Sequence, residues 1–317
     1  MQQIQEAKAT LLGLKNGERP MDKFSAMKIS FGEFTRRHGL TEEETRRAGS
    51  LIQRSYLDEK KRIVEGRFFL EYSKIARELD DFLLGKLVVS EEVVGMENFY
   101  AAISSGKRVI LACNHISHTD ALIVRYLLAL HGFTDEVCWV AGHKVWEEPE
   151  VRIYSTGVNM YLIYSGKYKR QERDRKNFEN VDRMQWHNSN ALRLMARDMC
   201  PVGFFPEGTR GDSGDGANLD GDPESMKALE LMDFGARNGI VIVPIHHFGS
   251  GHILNQSENK ASSDFLRYTN SGPVRLVFGA PFYWGDIWPT DVPKEGKMKA
   301  RETAVREIMS RIAELKE

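Results

Sequence analysis

Six short apolar runs alternate with helix-patterned stretches after residue 96, and this alternation limits the fold of the 317-residue chain more than any other feature. The runs are residues 108–113 (RVILAC), 137–141, 159–164 (NMYLIY), 202–205, 240–245 and 274–278. Each is short, continuous in apolar residues and bounded by glycine, asparagine or charge, as a strand covered on both faces is. Helical spacing occupies 119–131, 188–199, 223–238 and 294–315; Gly132 and Gly239 act as stops. Strands alternating with helices predict an α/β fold with a mixed, mostly parallel central sheet flanked by helices.

The first hundred residues read differently. Thr41 followed by Glu44 is a capping-box pattern that opens a helix running to about residue 64. Residues 67–87 carry Phe68, Phe69, Tyr72, Ile75, Leu79, Phe82, Leu83 and Leu87 in a rough helical stripe. The stripe has two readings: a face packed on its neighbours, or a membrane-facing surface. The expected division is an N-terminal helical domain over 1–95 and an α/β catalytic domain over 96–317.

Composition excludes several classes. A net charge of −1 provides no global field toward nucleic acid, so no nucleic-acid partner is expected. Cys113, Cys138 and Cys200 form no CxxC pair, and an odd, widely spaced set fits buried thiols in a reducing compartment. No apolar run approaches the length of a membrane span. The first twenty residues include Glu6 and Glu18 and resemble no targeting signal. The expected location is cytoplasmic, with peripheral contact at the inner membrane face left open. Residues 167–176 (KYKRQERDRK) form a basic stretch and 211–222 (GDSGDGANLDGD) an acidic, glycine-rich one. The first is either a solvated face or a site for an acidic partner; the second reads as a surface loop.

Three segments carry chemistry. Asn114-His115-Ile116-Ser117-His118-Thr119-Asp120 follows one strand and opens a helix. A hydroxyl is a poor nucleophile near neutrality, and an imidazole in hydrogen-bond reach can take its proton as attack begins. A carboxylate on the other ring nitrogen fixes the tautomer and stabilises the imidazolium. Phe205-Pro206-Glu207-Gly208-Thr209-Arg210 follows another strand: Gly208 lets the backbone approach a ligand and Arg210 offers a fork that suits phosphate. Glu207 has two readings, orienting Arg210 or binding a hydroxyl. Val243-Pro244-Ile245-His246-His247 ends a third strand, and each histidine is as readily structural as functional. A metal site built from His115, His118, Asp120, His246 and His247 is the disfavoured alternative, because the spacing is not that of an HExxH helix.

In this order, the segments resemble the glycerolipid acyltransferase superfamily: residues 114–120 reproduce NHxSxxD, 205–210 match FPEGTR, and 243–245 match a VPI-like strand. Val140-Ala141-Gly142 and Tyr164-Ser165-Gly166-Lys167 look closer to the soluble plastid-type glycerol-3-phosphate acyltransferases. That pattern lapses at Tyr168 and Asp212, where it has a histidine and a second arginine. The resemblance implies transfer of a fatty acyl group from acyl-CoA or acyl-(acyl-carrier-protein) to glycerol-3-phosphate without metal or cofactor. It implies His115 and Asp120 as the catalytic pair, and Lys167, Glu207, Gly208, Thr209 and Arg210 as the substrate-binding set. A lysophosphatidate or lysophospholipid acyltransferase on the same site, and a non-catalytic module binding lipid or carrier protein, are the alternatives.

Overall fold

Thr41 opens the helix over Glu42–Val64 as its sequence requires. The Glu44 N–H donates to Thr41 Oγ1 at 3.2 Å, and the Thr41 N–H donates back to Glu44 Oε2 at 3.0 Å. This reciprocal pair satisfies donors the first helical turn cannot. The computed structural model describes residues 31–64, 69–70, 72–142, 157–163, 200–208, 221–233, 239–253, 269–289 and 291–316. Helix α1 spans Glu42–Val64 and helix α2 spans Lys74–Leu87. The Glu44–Lys86 ion pair at 2.5 Å ties them together.

The 67–87 stripe is not one helix. Phe69–Leu70 form strand β1, and Ser73 caps α2 by accepting from the Ala76 N–H at 3.3 Å. The capping side chain holds the chain out of helical geometry just where the stripe would have continued. Within α2, Leu79, Leu83, Leu84 and Leu87 are buried in the main core, so these residues pack rather than face a membrane. The helical reading of the first hundred residues also fails at Val88–Val94, which form strand β2. Four β-branched valines in this stretch favour extended backbone, and its backbone pairs in parallel with residues 272–277.

The remaining elements follow the expected alternation. They are α3 (Met96–Ser104), β3 (Arg108–Cys113), α4 (Asp120–Leu130), β4 (Cys138–Gly142), β5 (Asn159–Ile163) and β6 (Val202–Phe204), followed by α5 (Met226–Asp233), β7 (Ile240–Phe248), β8 (Gly272–Phe278), β9 (Phe282–Tyr283) and α6 (Lys297–Ala313). The expected helix over 188–199 lies outside the described residues. Strand β7 runs three residues beyond its apolar run, through His246, His247 and Phe248, because it pairs antiparallel with β8 there.

The strands form one nine-stranded sheet, in order β1-β5-β4-β6-β3-β7-β8-β2, with β9 on β7. Five of its eight pairings are parallel. The expected mixed, mostly parallel sheet flanked by helices is therefore the fold. Alternation along each strand splits the core. Val109, Leu111, Cys113, Val241, Val243 and Ile245 face one layer with α2, α3 and α4. Ile110, Ala112, Ile240 and Ile242 face the other, with α5 and α6. On the first face Gly203 is required: a Cβ there would lie 2.5 Å from the ring of Trp139.

No helix among the described residues is long and apolar enough to cross a membrane.

Candidate active site

Register determines which loops meet. In the β3–β6 ladder Ala112 is level with Phe204, so three residues further on His115 comes level with Glu207. In the β3–β7 ladder Cys113 is level with Ile245, and two residues further on His115 comes level with His247. The three parallel strands thus deliver their C-terminal loops to one place, where open α/β sheets commonly hold their ligands.

Asp120 is the first residue of α4 and is fully buried. Its Oδ2 accepts from the Ile116 N–H at 2.7 Å and the Ser117 N–H at 2.8 Å, and lies 2.8 Å from His115 Nδ1. The side chain folds back over the turn that precedes the helix and binds that turn's N–H groups, those of Ile116 and Ser117. The five-residue spacing of NHxSxxD is the geometry of that turn. Its other oxygen, Oδ1, lies 3.0 Å from Nε2 of the buried His247. Burial by itself would raise the Asp120 carboxyl's pKa. The His247 charge and the His115 and His247 contacts outweigh it and hold the group ionised, far below the usual carboxylate range.

His115 retains partial exposure, 18% of its side chain, while its carboxylate has none. Its ring stacks on Phe205 at 4.1 Å between centroids and 16° between planes, and Phe205 stacks in turn on Trp139 at 5.3 Å. The aromatic shelf and the carboxylate together fix the imidazole's plane. With Nδ1 engaged by Asp120, Nε2 is the nitrogen able to accept a proton.

Glu207 is buried, and its Oε1 accepts the His115 backbone N–H at 3.0 Å. It therefore ties the FPEG loop to the histidine turn. Gly208 has φ 66°, and a Cβ there would approach Asp222 to 2.6 Å. Its N–H closes a turn onto the Phe205 carbonyl at 3.0 Å. Glycine is needed for both the backbone and the space. Lys167, Thr209 and Arg210 of the expected substrate-binding set lie outside the described residues, as does the Tyr164–Lys167 segment.

Two functional placements escaped the sequence reading. Asn114 clamps the end of β7: its Nδ2 donates to the His247 carbonyl at 3.0 Å and its Oδ1 accepts the His247 N–H at 2.8 Å. His247 is separated from His246 by the strand's period of two. His246 points to the other face, stacks on Phe248 and lies 3.0 Å from the Ile312 carbonyl through Nδ1. Extending the alternation of 241, 243 and 245 by one step would have assigned His247 to the site. Cys113 is buried beside the site, and burial, reinforced by Asp120 and Glu207, pushes its thiol well up, so it stays protonated. No group of three or more histidine, cysteine or acidic residues able to hold a metal occurs among the described residues.

Residues 91–247 match the Acyltransferase family. The matched span runs from β2 to His247 and includes Asn114, His115, Asp120 and Glu207, which supports acyl transfer as the general function. No curated protein matches the chain.

Proposed function

We propose that the chain is an O-acyltransferase that moves a fatty acyl group from the thioester of acyl-CoA or acyl-(acyl-carrier-protein) to a hydroxyl of glycerol-3-phosphate. The observation that carries this reading is the 2.8 Å contact between His115 Nδ1 and an Asp120 carboxylate itself held by two backbone N–H groups. Such a carboxylate cannot swing away, so the imidazole keeps one tautomer and one orientation.

His115 Nε2 takes the acceptor hydroxyl's proton as the oxygen attacks the thioester carbon. A C–O bond forms and the C–S bond breaks. His115 then returns the proton to the departing thiolate. Asp120 remains ionised throughout and stabilises the imidazolium between the two transfers. Lys167, Thr209, Arg210 and the backbone at Gly208 form the phosphate subsite in this reading, and holding the acceptor there supplies much of the rate. The basic stretch 167–176 meets the acidic carrier protein or the phosphates of CoA. The enzyme works in the cytoplasm, against the inner membrane face where its product partitions.

Product analysis tests the assignment. The purified chain is supplied with radiolabelled acyl-CoA or acyl-(acyl-carrier-protein), and with glycerol-3-phosphate or 1-acyl-glycerol-3-phosphate as acceptor. Label in a monoacyl product from glycerol-3-phosphate is expected. Label only in the diacyl product would transfer the assignment to a lysophosphatidate acyltransferase. No ester with either acceptor and either donor would overturn the reading.

A further inference from the structure

We propose that His247 is a positioning residue for the general base: from the far side of the shared carboxylate it sets how readily His115 takes a proton. This inference rests on the acyl-transfer reading above and adds a third group to its catalytic pair.

Asp120 lies between two imidazoles. Oδ2 faces His115 Nδ1 at 2.8 Å, and Oδ1 faces His247 Nε2 at 3.0 Å. The carboxylate has no exposure and His247 only 1%, so water does not screen their interaction. The second contact is built. Both backbone polar groups of His247 are clamped by the buried Asn114, which fixes the strand end from which the ring projects. A histidine needed only to fill space would not require this double anchor beside the one carboxylate that serves the base.

The charged groups facing His247 come from two elements, Asp120 from α4 and Glu207 from the loop after β6; its neighbour on β7, His246, points to the opposite face. Burial disfavours a charged His247, but Asp120 foremost and Glu207 beyond it more than restore the proton, and the net direction is upward. A protonated His247 has two effects. It offsets the cost of burying the Asp120 carboxylate. It also spends part of the Asp120 charge that would otherwise favour a proton on His115. Without the His247 charge, the whole carboxylate would face His115.

The test is the pH dependence of kcat/KM, with thiol release from acyl-CoA and glycerol-3-phosphate as the readout, for the wild-type chain and His247→Gln. Glutamine keeps a polar side chain at this position but carries no charge. The acid limb is expected to move to higher pH by about one unit, the size typical of losing a neighbouring charge. A folded His247→Gln with its limb unmoved would overturn the inference, since a purely structural histidine predicts that result. His115→Ala separates the two readings: if it keeps full turnover the base assignment fails, whatever residue 247 does. Histidine NMR on the wild-type chain needs neither a variant nor a substrate. The His247 ring is expected to remain protonated above about pH 6.5, and a ring already neutral at pH 6 would also overturn the inference.

Discussion

The two faces of the central sheet use the same kind of residue for opposite ends. His246 and His247 are adjacent, and each is 1% exposed. His246 faces the α5–α6 layer, where its neighbours are the Phe248 ring and a carbonyl of the last helix. Burial dominates there and lowers its pKa to about 4, so it is a neutral packing group. His247 faces the layer that carries the site, and the Asp120 carboxylate reverses the outcome. Burial does not decide the charge of a histidine; what it is buried against does.

The comparison can be broken most severely on the site face. His115→Ala is expected to lower kcat by about 10²–10⁴-fold, the usual worth of a positioned base, with an unfolding transition like that of wild type. Steady-state kinetics beside a thermal melt would check it. Next in size is Gly203→Ala, which presses a methyl onto Trp139 and through it onto the Phe205 shelf under His115. A destabilisation of about 1–3 kcal/mol is expected for such overpacking, measurable by urea unfolding.

The pH dependence of stability sharpens the contrast. For His246 the folded pKa lies below the unfolded value of about 6.5. The unfolded chain binds the extra proton between the two values, so the contribution is present at neutrality and lost as pH falls toward about 4. For His247 the folded pKa lies above the unfolded value, so its contribution is present below about pH 6.5 and lost as pH rises through the raised value. Urea unfolding across this range should show His246→Gln flattening the acidic decline and His247→Gln the alkaline one. The smallest effect is expected from His246→Gln on catalysis: a stability cost of about 1 kcal/mol from a perturbed buried contact, with the acid limb of kcat/KM in place. A shifted limb in that variant would mean the two faces are coupled.

Much of this was legible in the sequence. The run at 108–113 is strand β3 residue for residue, and the Thr41–Glu44 box caps α1 as its spacing requires. Such features depend on near neighbours, and local sequence encodes them. The His115–Asp120 contact was legible for the same reason: the turn that joins them spans only five residues. Strand β2 was not, since its pairing partner lies some 180 residues away and its two glutamates interrupt the apolar pattern. Nor was the length of β7, which continues past its apolar run only because β8 is there to pair with it.

The sequence by itself determined the alternating layers, the capping turns and the histidine–aspartate turn, because each follows from periodicity or from bonds closed within a few residues. Only the tertiary structure decided that Glu207 would hold the His115 backbone and that Asp120 would be shared with His247. Those contacts join strands far apart in the chain, and the register between strands, set by packing of the whole sheet, determines which side chains come level.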